Sequence, residues 1–249
     1  MPAPFRLGRG DLGPQQQTPV SCGAACLTVA RMLLDPAFAA WVTTGEGVPP
    51  DGVEVPGAGS PTARFAAYEV VVHRRTNATS LTGPGLGMPW PRGLGTPPWG
   101  ARRELERTAA RRGTGYAVEL LRGGSAGQLR EDYRRLTAAV ADGAPALLYV
   151  GNATLPRHVV LVLPGDGDLV LDVYEPASGL VRVVTAEEME RARLGLGGWQ
   201  VPWISVQATP ERPARLHALR RALTPARAVA PEAGLARVDE PLSPGVGAR

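Results

Sequence analysis

Between Ala146 and Val206 the chain breaks into short runs of β-branched and apolar residues, separated by turn segments such as PGDGD and PASG. The runs are Ala146 to Val150, His158 to Leu163, Leu169 to Tyr174, Leu180 to Val184 and Val201 to Val206. Strands this short and this closely spaced leave little room for crossover helices, so they are expected to pair antiparallel in one sheet. The preceding half has a different period. Cys26, Leu27, Ala30, Leu33 and Leu34 recur at spacings of three and four and predict a helix from Cys22 to Leu34. Asp35-Pro36 ends it, because the residue before a proline is biased out of the helical region.

Further helices are predicted over Ala37 to Val42, Thr62 to Arg74 and Ala101 to Arg112. A fourth carries Leu129, Tyr133, Leu136 and Val140 on one face and stops at Asp142-Gly143. Gly115 to Leu121 is a strand candidate. The expected fold class is α+β, a helical N-terminal half packed on a C-terminal antiparallel sheet. Residues 1–13 read as a flexible arm, 14–209 as one domain, and 210–249 as a Pro/Ala/Arg-rich tail. In that tail Leu216, Leu219 and Leu223 can form one helix before a disordered end. The loop 82–100, rich in Gly and Pro, is read as lacking regular structure, with Trp90 and Trp99 arguing that it is packed.

The charge balance narrows the function. Every basic residue among the 27 is arginine, and the formal net charge is +4. Seven of the arginines, against four acids, lie from Ala208 onward, which leaves 20 against 19 in the body. The body is nearly neutral, so no nucleic-acid partner is expected. No apolar run approaches the length of a membrane span, and the N-terminal MPAPFRLGRG lacks the apolar stretch of a signal peptide. The expectation is a cytoplasmic protein with reduced thiols.

Both cysteines fall in one stretch, QQQTPVSCGAACL, from Gln15 to Leu27. Two cysteines at i and i+4 in an apolar helix are, taken alone, ordinary core residues. Here, however, Cys22 opens the helix, with Ser21 as candidate N-cap. The partial positive charge of a helix N-terminus favours a thiolate, the form a nucleophile needs. Gly23 would let a substrate carbonyl approach, and Ala24 and Ala25 keep the first turn uncrowded. Cys26 falls on the apolar face and reads as buried.

The layout resembles the papain-like cysteine peptidases, in which a glutamine six residues before the catalytic cysteine donates to the oxyanion. Counting back from Cys22 reaches Gln16, whereas counting from Cys26 reaches Val20, which has no donor. Gln-x5-Cys-Gly-x-x-Cys-Leu is similar above all to the leader-cleaving peptidases of bacteriocin exporters, where the first cysteine is catalytic and the second structural. The resemblance also implies a histidine opening a strand, then a turn and a second strand ending in an acid or Asn. His158 and the run HVVLVLPGDGDLVLDVYEPASG fit this, while His73 and His217 read as surface residues.

The orienting residue then falls on Glu175, before Pro176, where the family has Asp or Asn. Asp172 is the rival, and regular strand alternation puts the two on opposite faces. The implied activity is a thiol hydrolase cleaving a peptide or isopeptide bond, needing no metal or organic cofactor. Two alternatives stand beside it. One is acyl transfer to an amine at the same thiol. The other is an unreactive papain-like module that binds a peptide or partner protein, and a partner for the tail is left open.

Overall fold

In a computed structural model, the described residues are 4–55, 59–78, 90–110, 114–165 and 170–209. All lie in a compact unit, Met1–Glu211; a second unit, Arg212–Arg249, is outside them, and with it the predicted tail helix and His217. Residues 82–89 of the Gly/Pro-rich loop are also outside.

The unit is a mixed α+β structure. Helices α1 (Cys22–Leu34), α2 (Pro36–Thr44), α3 (Pro61–Thr76) and α4 (Pro98–Thr108) are followed by β1 (Tyr116–Leu120) and α5 (Ala126–Ala141). Strands β2 (Ala146–Gly151), β3 (Pro156–Val162), β4 (Leu171–Tyr174) and β5 (Val181–Val184) come next, then α6 (Ala186–Glu190) and β6 (Val201–Ala208). One sheet has the order β1-β6-β2-β3-β4-β5, with every neighbouring pair antiparallel.

Local chemistry explains most boundaries. Asp35 ends α1 with extended backbone and caps α2, its Oδ1 accepting from Phe38 N at 3.0 Å, with Pro36 in the first turn. Ser60 caps α3 in the same way. Ser125 with Gln128, and Thr185 with Glu188, form reciprocal capping boxes at α5 and α6. The short α6 was not among the expected helices, although the T-x-x-E signature of its start is present in the sequence.

The layering differs from a helical half laid on a sheet. Every residue of β2 is buried. Leu147 and Tyr149 pack with α1 in one core, whereas Leu148 and Val150 join α5 and α6 residues in a second. The sheet is therefore covered on both faces, and β1, from the first half of the chain, forms one of its edges. Nearly unbroken apolar runs such as ALLYV and VVLV, rather than alternating ones, are what two covered faces require. Leu147, Leu148 and Leu161 are fully buried; truncating any one to alanine would cost about 2–5 kcal/mol.

Two further expectations are corrected. Pro98, Trp99 and Gly100 form the first turn of α4 rather than loop, since proline is favoured where its missing N–H is not needed. Trp90 and Trp99 do pack, edge to face at 5.6 Å, with Trp90 also on Tyr149 at 6.4 Å. The arm, moreover, is tied down from Gly10 onward. Gly10 N donates to Val181 O, Val181 N to Asp11 O, and Gly13 N to Gly179 O, at 2.8–3.0 Å.

Among the described residues no single helix is long and apolar enough to cross a membrane. The apolar pair α1 and α2 meets at a 115° bend. Helix α1 is buried without interruption from Cys22 to Ala30, so it is a central helix packed all round rather than an amphipathic one.

Candidate active site

Three segments far apart in sequence meet at the start of α1. The first is the loop from Gln15 to Ser21. The second is the start of β3, with His158 its third residue; the third is the β4–β5 turn, with Glu175 immediately after Tyr174. Hydrogen bonds fasten the first segment to the third. Gln16 N donates to Pro176 O at 2.8 Å and the Gln15 side-chain amide to Ser178 O at 2.9 Å, while Glu175 N to Leu180 O at 2.9 Å closes the turn itself. Tyr174 adds a hydroxyl bond to Pro14 O. The residue carrying the expected oxyanion donor is thus fastened to the turn carrying the expected orienting acid.

His158 Nε2 lies 2.6 Å from Glu175 Oε1. An ionised carboxylate only accepts, so Nε2 carries the proton; that leaves Nδ1 as the nitrogen available to Cys22, the other side chain acting on this imidazole. Burial pulls the His158 pKa down. Bonding to Cys22, then to Glu175, overrides it and raises the pKa to about 9. Burial raises the Glu175 carboxyl, but its bonds from His158, Ser178 N at 3.0 Å and Ala177 N at 2.8 Å bring it down to about 2. The pair is therefore imidazolium and carboxylate near neutral pH.

The rival acid is elsewhere. Asp172 accepts from Arg9 Nε at 3.1 Å on the half-exposed side of β4. Cys26 is fully buried and its Sγ sits 3.5 Å from Val159 O; burial first, then the Cys22 charge, pushes its thiol well above the ordinary range. It is a packing residue and not a nucleophile. His73 ends α3, partly buried, where burial lowers its pKa. Cys22 itself keeps 3% of its surface and His158 8%, so access to the thiol is narrow.

Two first-turn expectations change. Ser21 occupies the N-cap position but makes no side-chain cap: its hydroxyl donates to Thr18 O at 2.9 Å. The first amides of α1 are therefore not consumed by the cap, and their positive end faces the thiol. The space beside Gly23 belongs to Thr96, whose Cβ would lie 2.6 Å from a Cβ at position 23. Gly23 is required by that close approach rather than by a substrate carbonyl. The Gln16 side-chain N donates to Thr18 O at 2.8 Å, which leaves one of its two protons free, while its buried Oε1 has no partner.

Gly197 was not expected at the site. Leu196 and Trp199 bond reciprocally at 3.0 and 2.9 Å around Gly197 and Gly198, whose φ values of 56° and 84° make a two-residue hairpin turn. A Cβ on Gly197 would lie 2.9 Å from His158 Cδ2 and 3.0 Å from Nε2. The hairpin therefore roofs the His158–Glu175 bond. The Gly-Gly pair in LGLGGW was the available signal for a turn, but its partner was not. Gly197→Ala is expected to displace the imidazole and slow alkylation of Cys22 at least tenfold, as measured by mass spectrometry, with the fold retained by circular dichroism. An unchanged rate would mean the ring tolerates the methyl group.

Among the described residues no three His, Cys, Asp or Glu side chains converge as a metal centre would need. No protein-family model and no curated protein matches this chain.

Proposed function

We propose that the protein is a papain-like cysteine peptidase, a thiol hydrolase acting on a peptide or isopeptide bond. The observation that carries this reading is His158, bonded on one side to a thiol at a helix N-terminus and on the other to a buried carboxylate. A buried imidazole needs a partner at each ring nitrogen; here the two are a nucleophile and an acid, the order a triad requires.

In this reading the Cys22 thiolate attacks the carbonyl carbon, and the C–O π electrons become an oxyanion. The free proton of the Gln16 amide and the Cys22 N–H receive that charge. Protonated His158 gives its Nδ1 proton to the departing nitrogen, the C–N bond breaks, and a thioester remains. Water then attacks the thioester, His158 takes up a water proton, and the acid product leaves with the thiolate restored. Glu175 holds the tautomer throughout. Cleavage after a glycine-containing leader is implied only by the resemblance of the Gln16–Leu27 pattern to the leader peptidases.

The test is a pair of variants exposed to iodoacetamide at pH 7. Cys22→Ala is expected to abolish labelling, whereas Cys26→Ala should leave it within about twofold of wild type. Loss in the second variant and not the first would overturn the assignment. The 3% exposure of Cys22 favours one other reading, an unreactive scaffold that binds a peptide. In that case wild-type Cys22 would label no faster than free cysteine.

A further inference from the structure

The Gln15–Ser21 loop has a second anchor that the triad does not use. Glu69, in the middle of α3, is 2% exposed, and both its oxygens accept from Gln17 N, at 3.2 and 3.3 Å. Burial raises its pKa, opposed by its contacts with Ser21 and then with Gln17. The Ser21 hydroxyl spends its one proton on Thr18 O, so the Gln17 N–H is the donor that meets this carboxyl. An acid placed here at a cost in desolvation is bonded to the residue after Gln16.

That contact lies one residue from the expected oxyanion donor. The Gln16 backbone is held from the other side by Pro176 O. Without Glu69, Gln17 N would lose its acceptor and the loop would keep only one long-range backbone tether at Gln16. Glu69 therefore acts at the Gln16 end of the loop: by holding Gln17 N it fixes where the Gln16 amide points.

We infer that Glu69 is a positioning residue for the oxyanion site, setting the Gln16 amide through Gln17 N. This rests on the thiol-hydrolase reading. Two probes separate its parts. Iodoacetamide reads the thiol alone, because its alkylation forms no oxyanion. A peptide aldehyde, N-acetyl-Leu-Leu-norleucinal, adds reversibly to the thiol as a hemithioacetal whose oxygen needs the oxyanion donors.

Glu69→Ala is expected to weaken aldehyde affinity about tenfold while changing the iodoacetamide rate less than twofold. Glu69→Gln, which keeps one acceptor oxygen, should recover most of the loss and covers the case in which the alanine variant does not fold. In a Gln16→Ala background, where the amide is already gone, neither Glu69 variant should cost anything further, because residues acting through one group are not additive. A purely structural Glu69 would instead lower both probes together and add to Gln16→Ala; that result, or unchanged aldehyde affinity, overturns the inference. Wild-type Cys22 that iodoacetamide labels no faster than free cysteine overturns the thiol-hydrolase reading itself.

Discussion

His158→Ala is expected to slow alkylation of Cys22 by iodoacetamide at pH 6 by about a hundredfold, and hydrolysis of any peptide substrate by about a thousandfold. The first figure reflects loss of the imidazole beside the sulfur, the group that would take up its proton. The second adds loss of the proton that the departing nitrogen must receive. The wild-type hydrolysis rate should fall as pH rises through about 9, where His158 gives up that proton. Stopped-flow alkylation and a pH–rate profile measure both. A variant that alkylates at the wild-type rate would show that the imidazole does not act on the sulfur.

Glu175→Ala is expected to lower stability by about 3 kcal/mol at pH 6, read as a melting temperature lower by about 10 °C. The carboxylate is buried with three donors aimed at it, and its removal leaves the imidazolium and two turn amides without their acceptor. The pH dependence follows from the directions of the shifts. Glu175 is lowered to about 2, so its contribution is complete above the ordinary carboxyl range near 4.5 and is lost as pH falls through about 2. His158 is raised to about 9, so its contribution is complete below the ordinary imidazole value near 6.5 and is lost as pH rises through about 9.

Because the two share one interaction, their contributions are not summed. The wild-type melting temperature should therefore be highest between about pH 4.5 and 6.5, and Glu175→Ala should flatten the decline on either side. Glu175→Gln keeps an acceptor for Nε2 without the charge, so it should retain the ring's orientation but lower the His158 pKa. A melting temperature of Glu175→Ala within 2 °C of wild type would mean the pair contributes little.

Wherever a signal is carried by residues near each other in the chain, the sequence was enough. The spacing of Cys26, Leu27, Ala30, Leu33 and Leu34 and the Asp35-Pro36 stop delimit α1, and its bounds, Cys22–Leu34, match the expectation. The short apolar runs between turns correspond to β2 through β6, each within about two residues at its ends. That His158 lies near a strand start, Glu175 just past a strand end and Cys22 at a helix start was legible, because each is a local pattern.

The rest depended on close approaches between segments with no shared period. Glu69 lies with Phe65 and Val72 on the buried side of α3, so an acid on an apolar stripe was visible; its partner Gln17 N, 52 positions back, was not. Gly197 looks like any loop glycine until the hairpin folds onto His158, and Thr96 like any loop threonine until it fills the space beside Gly23. Which of two acids meets the imidazole, which face of the sheet each helix covers, and how little of Cys22 faces solvent were all decided by packing. Helix period, caps and turns are energies between near neighbours and are written in the order of residues. The site is an energy between layers, fixed only when the α1 layer, the sheet and the Leu196–Trp199 hairpin share one volume.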